Sequence, residues 1–358
     1  MAPTTPVLLQ GMKNWIKILC AALLLYAAVF SLWHPMAPGG LAVSATELHP
    51  GRNDFEFSGY GTHFKEAEGS LKVYVSVDSS AVYCADILQV VDDSRVFVSV
   101  FLPDTISSKR FGFASNNDID GTIIVDSPVG HEGFVFAQGT ANPECRYSVL
   151  QEEFTRFGFP YQPIIIESIR NLMWHVPMWF TMFVLMTIGF VFSIRTLGKE
   201  EGKIELDHDL KASSAAAVGL VFCVLGLVTG SLWARFTWGD WWTNDPQLNG
   251  AMVVFLVYVA YFILRSSTPD EDKRARLSAI FNIFAFVLMV VLLMVMPRFT
   301  EGLHPGKSGN PAFSKYDLDS SLRSVFYPAC AGFILLGYWI YRLHYRIQKL
   351  EQHNENHS

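Results

Sequence analysis

Six apolar runs, each near the length needed to cross a bilayer, constrain this chain more than any other feature. They cover roughly Asn14 to Trp33, Trp174 to Ile194, Ala212 to Leu232, Gly250 to Leu264, Leu277 to Met296 and Ser324 to Tyr341. A helix needs about 20 predominantly apolar residues to span the hydrocarbon core. With 51% hydrophobic and 17% charged residues gathered in such blocks, a single water-soluble globule is excluded. The run Gly250 to Leu264 is short, and it spans if flanking residues complete the helix or the bilayer thins. The first run follows Lys13 and has no small-residue cleavage site before Pro35, so it reads as a retained helix rather than a secretory signal. Lys17, one turn in, can snorkel to the interface.

Lysine and arginine in the short loops set the orientation. With the N-terminus inside, the cytoplasmic side receives thirteen: Lys13 and Lys17, the groups Arg195 to Lys211 and Arg265 to Arg276, and Arg342, Arg346 and Lys349. The opposite short loops carry five: Arg235, Arg298, Lys307, Lys315 and Arg323. Both termini are therefore expected on the cytoplasmic side. The net charge of -6 is spread over the loops and forms no basic patch, which gives no support to nucleic-acid binding.

The polar stretch after the first helix, about 140 residues to Arg170, is too long for a simple loop. Alternation at Leu71, Val73, Val75 and Val77, and at Val96, Val98 and Val100, with Gly, Asn and Asp clusters between, predicts an all-β domain over residues 43–141. A sandwich-like architecture on the periplasmic side is expected, without the tryptophan of true immunoglobulin domains. Residues 142–170 mix Phe154, Phe157 and Tyr161 with charges and prolines and suit an interfacial linker. The expected plan is a mainly α membrane protein: a first helix in residues 1–33, the inserted domain and linker, a five-helix membrane domain over 171–345, and a cytoplasmic tail over 346–358. The five cysteines form no CxxC or CxxCH motif, which excludes a thioredoxin-like enzyme and a covalent c-type cytochrome. Cys20, Cys223 and Cys330 read as buried small residues, and a bridge between Cys84 and Cys145 is left open.

The chemistry concentrates at the outer interface. Trp233, Trp238, Trp241 and Trp242 fall in an external loop, residues 233–249, whose stretch Trp238-Gly-Asp-Trp-Trp-Thr-Asn-Asp-Pro-Gln-Leu248 is more ordered than an aromatic belt requires. Flat indole faces suit a flat, apolar, aromatic ligand. His175, in Trp174-His-Val-Pro177, and His304, in Leu303-His-Pro305, flank that loop on the same side. A lone histidine at a helix end is usually satisfied structurally. Two at one interface beside a tryptophan loop suit axial ligation of haem iron.

The loop resembles the WWD motif of haem-handling proteins of cytochrome c biogenesis, and the six-helix layout is similar to the CcmC branch of the CcmC/CcmF/CcsA superfamily. Arg170, His175, Val176 and Pro177 match that branch at the second helix, and Leu303 and His304 match it after the fifth. The resemblance implies that haem b is held through its iron by His175 and His304, with Trp238, Trp241, Trp242 and Asp245 cradling it and Arg170 answering a propionate. It implies delivery to the periplasmic chaperone CcmE in company with CcmA, CcmB and CcmD, and lyase-like assistance without a catalytic residue set. The family's loop usually has tryptophan before its aspartate and a basic residue two places after it; here these are Asn244 and Gln247. Arg235 or Lys307 are further candidates for the missing positive charge. The inserted β domain is also foreign to the pattern.

Two other functions compete. An extracytoplasmic sensor or anchored binding module needs fewer than six helices and would purify colourless. A haem transporter would place ionisable or broken segments at the bilayer midplane, where these runs carry almost none. A fused chaperone at His131 is disfavoured, because Phe134 and Phe136 stand where that family would place a tyrosine.

Overall fold

A computed structural model describes residues 12–45, 47–77, 81–104, 111–125, 159, 161, 165–197, 205–304, 318 and 320–355. The chain divides into two compact units, residues 34–167 and residues 1–33 with 168–358.

The first unit is a seven-stranded antiparallel sheet: β1 (Gly39–Val43), β2 (Gly51–Tyr60), β3 (Lys72–Val77), β4 (Ala81–Asp92), β5 (Arg95–Leu102), β6 (Phe111–Asn117) and β7 (Gly121–Val125). The strand order is β1-β2-β5-β4-β3-β6-β7. β1 also lies against β7, so close that a Cβ on Gly40 would stand 2.8 Å from the Ile124 carbonyl oxygen. The two ends of the sheet therefore meet, and the region is barrel-like rather than the sandwich its alternation suggested. The cause is β4, which pairs with β3 through Ala81–Ala85 and with β5 through Asp86–Asp92. Register irregularities at Ile87/Gln89 and Val90/Asp92 bend it, carrying one strand across both halves. The enclosed core contains Phe55, Phe57, Val75, Val98 and Phe113, all inward positions of the period-two pattern.

Cys84 is disulfide-bonded, whereas Cys20, Cys223 and Cys330 are free thiols. Cys145, His131 and most of the expected linker lie outside the described residues.

The second unit contains six helices long and apolar enough to cross a membrane. They are α1 (Asn14–Leu32), α2 (Leu172–Leu197), α3 (Leu206–Trp238), α4 (Pro246–Ser266), α5 (Glu271–Val290) and α6 (Ser320–Glu355). α5 continues as a π-helical turn, Val291–Val295, and a 3-10 turn, Met296–Arg298. By length and composition these are the helices of a multi-pass membrane protein.

The helices run past the apolar runs because polar residues extend them. Asp245 caps α4, accepting the Gln247 and Leu248 N–H groups, and Asp270 caps α5, accepting the Lys273 N–H. α6 stays helical to Glu355, through most of the stretch expected as a tail. At one end of the bundle, the Arg265 guanidinium donates two hydrogen bonds to Asp209 at 2.7 and 2.6 Å, joining α4 to α3.

Between α2 and α3 the contact is made by glycines. A Cβ on Gly219 would meet Met186 Sδ at 3.0 Å, one on Gly226 would meet Trp179 Cε2 at 2.8 Å, and one on Gly230 would meet His175 Cε1 at 2.6 Å. In a bilayer, where apolar side chains gain little by leaving lipid, such small residues let helices approach closely. Here they form a groove on α3 that receives a methionine, a tryptophan and a histidine of α2.

Candidate functional site

His175 sits in the second turn of α2, buried against α3. Its Nδ1 is 3.1 Å from Thr229 Oγ1. The single hydroxyl proton of Thr229 is directed at helix carbonyls, Leu225 O at 2.8 Å and Gly226 O at 3.2 Å. The hydroxyl oxygen is thus left as acceptor for an Nδ1–H, which selects the tautomer whose Nε2 carries the lone pair. Two indoles stand edge-on to this ring, Trp233 at 5.7 Å and Trp179 at 6.2 Å between centroids. Asn171, at the start of α2, donates to the Thr229 carbonyl at 2.8 Å and pins the same turn.

His304 is held by the same device with a stronger acceptor. Its Nδ1 lies 2.8 Å from Asp245 Oδ1, and the other carboxylate oxygen accepts the Leu303 N–H at 2.7 Å. Asp245 Oδ1 also takes the Gln247 and Leu248 N–H groups at 2.9 and 3.1 Å, as the N-cap of α4. Burial works against the charge on Asp245, but the hydrogen bond from His304 and the backbone donors outweigh it, holding the carboxyl well below the usual carboxylate range. The helix N-terminus favours the same ionised state. A carboxylate that fixes one imidazole nitrogen and frees the other is the usual support of a metal-bound histidine. Trp238 stands edge-on to His304 at 5.1 Å.

The tryptophans are divided differently from the expected loop. Trp233 and Trp238 belong to the last turns of α3, which ends where Gly239, at φ +89°, adopts the left-handed conformation. Arg235 donates to the Gly239 carbonyl across that turn. Trp241 and Trp242 follow in the loop and are exposed, at 58% and 37%. The loop is nonetheless fixed: Ser231 donates to the Trp241 carbonyl at 2.8 Å, and Trp242 Nε1 donates to Asn249 Oδ1 at 3.2 Å. Asn249 Nδ2 in turn donates to Asn244 Oδ1 at 2.9 Å. Asn244, the departure from the expected motif, therefore supports Trp242 indirectly.

Arg170 precedes α2 and donates to the Ser31 carbonyl in the last turn of α1 at 2.9 Å. A cation there complements the carbonyl end of α1, a structural role that the sequence did not suggest. Sequence reasoning also missed Thr229, Gly230 and Asn249. The first two form a Thr-Gly step inside an apolar helix, the one legible sign that α3 approaches something closely there.

The chemistry available is that of two imidazoles whose Nε2 atoms have no hydrogen-bond partner among the described residues, aromatic edges around both, and a loop with two open indole surfaces. Trp233 Nε1 is buried with no hydrogen-bond partner among the described residues. These residues fit a large aromatic ligand that carries a metal and polar edges.

Residues 160–304 match the family described as Cytochrome C assembly protein. Heme exporter protein C of Paracoccus denitrificans is 32% identical over 127 residues, covering 36% of this chain and 52% of the relative. The protein of the same name from Bradyrhizobium diazoefficiens is 32% identical over 126 residues, 35% of this chain and 46% of its own. That from Escherichia coli is 25% identical over 174 residues, 49% of this chain and 64% of its own. The chain thus spans about half the length of the curated relatives it matches. His175, the tryptophan loop, Asp245 and His304 all lie within the matched segment, whereas the barrel-like strands and α6 lie outside it. Through residues 160–304, the chain is similar to the Cytochrome C assembly protein family and to the relatives named Heme exporter protein C.

Proposed function

We propose that this chain binds haem b between His175 and His304, at the outer face of a bacterial inner membrane, and presents it for transfer to a periplasmic chaperone of the CcmE type during c-type cytochrome maturation. CcmA, CcmB and CcmD are the expected company, and both termini lie in the cytoplasm. The observation that carries the reading is the matched orientation of the two imidazoles: each Nδ1 is engaged, by Thr229 or Asp245, and each Nε2 is left as a lone-pair donor. Imidazole pairs ligate haem iron axially, and a six-coordinate site holds haem without opening it to oxygen chemistry.

This chain's part is to hold and orient its cargo. Trp238, Trp241 and Trp242 supply aromatic surface, Asp245 steers His304, and the unpartnered Trp233 indole N–H offers a donor to a polar edge of the macrocycle. Arg170 serves the site from the root of α2, through its hold on α1.

The test is a haem titration of the detergent-purified full chain, followed by absorbance. The wild type should take up one equivalent with a low-spin spectrum, and Trp241→Ala with Trp242→Ala should bind more weakly while inserting normally. A colourless wild type that takes up no haem would overturn the reading in favour of a sensor or anchor.

A further inference from the structure

α6 has 36 residues. At 1.5 Å per residue it is about 54 Å long, against a hydrocarbon core of about 30 Å. From Ser324 to Tyr341 it carries no charged residue; then Arg342, Arg346, Lys349 and Glu351 follow, with His344 and Gln348 between and Gln352 after. The last turns therefore stand beyond the hydrocarbon.

One face of this extension is occupied. Tyr345 Oη and Lys349 Nζ donate to Asp207 of α3 at 2.5 and 2.6 Å, and Gln348 Oε1 accepts from Ser214 Oγ at 3.2 Å. The opposite face carries Ile340, Leu343, Ile347 and Leu350, which are 40%, 42%, 55% and 48% exposed. Their spacing is three, four, three, the repeat of a coiled-coil seam.

We propose that this ridge pairs with the same ridge of a second copy of the chain, as a short parallel two-stranded coiled coil. The residue types specify that occupant. With Ile340 and Ile347 on the first core position of each heptad and Leu343 and Leu350 on the second, the pattern is the one that favours two parallel strands. Asn354, also exposed, falls on the next first-core position, where a buried polar pair fixes register and strand number.

The flanks agree. Arg346 and Glu351 border the seam five residues apart, the separation that sets one against the other across a parallel pair. Neither makes an ion pair among the described residues of its own chain, and Arg346 Nε is buried without a hydrogen-bond partner there. By two-fold symmetry Arg346 of each copy meets Glu351 of the other. Lipid covering the ridge would use neither Asn354 nor this charge pair. Two heptads alone would be marginal, but the bonds to α3 hold the helix formed, and confinement to a membrane raises the effective concentration.

The test uses the full chain in lipid vesicles, with stoichiometry read by single-molecule photobleaching and contact read by oxidative crosslinking. The wild type should be dimeric, and Leu350→Cys should crosslink where Gln352→Cys, on the far side of the helix, does not. Arg346→Glu should weaken the dimer roughly five-fold, and the double exchange Arg346→Glu with Glu351→Arg should restore it. A monomeric wild type, crosslinking equal at both positions, or charge reversal without effect and without rescue would each overturn the proposal. Because none of these readouts involves haem, the result stands apart from the fate of the haem-binding reading.

Discussion

Gly230→Ala places a methyl group where His175 now lies. The added Cβ would stand 2.6 Å from His175 Cε1, 3.2 Å from Nδ1 and 3.5 Å from Nε2. The first distance falls about 0.9 Å short of the closest comfortable separation of two carbon atoms, about 3.5 Å. The imidazole has little room to yield, because its Nδ1 is tied to Thr229 and its edges face Trp179 and Trp233. Either the ring leaves its position or α3 moves away from α2, and overpacking of this kind costs about 1–3 kcal/mol. If half or more of that falls on the bound state, haem affinity drops from roughly 2-fold to more than 100-fold. The assay is a haem titration by absorbance, with helicity and thermal unfolding of each variant recorded alongside. Gly219→Ala is the control: its Cβ would press on the flexible end of Met186, which can swing aside, and it lies three turns from His175. The expectation is weakened binding and loss of low-spin character in Gly230→Ala alone. A Gly230→Ala variant that inserts normally and binds haem like the wild type would refute the reasoning that the α3 groove sets the position of His175.

Thr229→Val keeps the shape of α3 but removes the acceptor of His175 Nδ1, and leaving that donor buried and unpaired should cost about 1–3 kcal/mol, read as a lower unfolding temperature and weaker haem binding. Asp245→Asn keeps a capping side chain yet removes the charge that orients His304, so helicity should be nearly preserved while haem affinity falls about 10- to 100-fold; equal losses in both would mean that Asp245 acts only as a cap. Joining the first helix to about Gln162 by a short flexible linker should leave haem binding through His175 and His304 intact while cytochrome maturation fails, and full maturation would show the inserted domain to be dispensable.

The membrane helices were legible because hydrophobic length is a direct physical demand of the bilayer, and each apolar run lies within one helix, apart from Trp33 at the cap of α1 and the end of the fifth run, which falls in the terminal turns of α5. Their ends were less so. α3 runs on through Trp233–Trp238 to the cap made by Arg235 and Gly239, and this moves Trp233 and Trp238 from the loop onto a helix. In the β unit, alternation identified the strands, but a two-residue period is the same in a sandwich and in a barrel. The difference lies in the bends of β4 and the approach of Gly40 to β7, which no local pattern encodes.

At the site, the sequence singled out His175, His304 and the tryptophans by residue type. What it could not supply was the partner of each imidazole. Thr229 lies 54 positions from His175 and Asp245 lies 59 from His304, so both pairings exist only once the helices pack. Asp245 was expected to touch the ligand; in the fold its oxygens serve His304, Leu303 and the first turn of α4.

The proposal that His175 and His304 would both hold the haem iron is tested most directly by imidazole rescue. His175→Gly and His304→Gly should each shift the ferric haem spectrum of the full chain away from six-coordinate low spin, and added imidazole should restore it in both. Spectra of both variants that match the wild type without imidazole would contradict the claim.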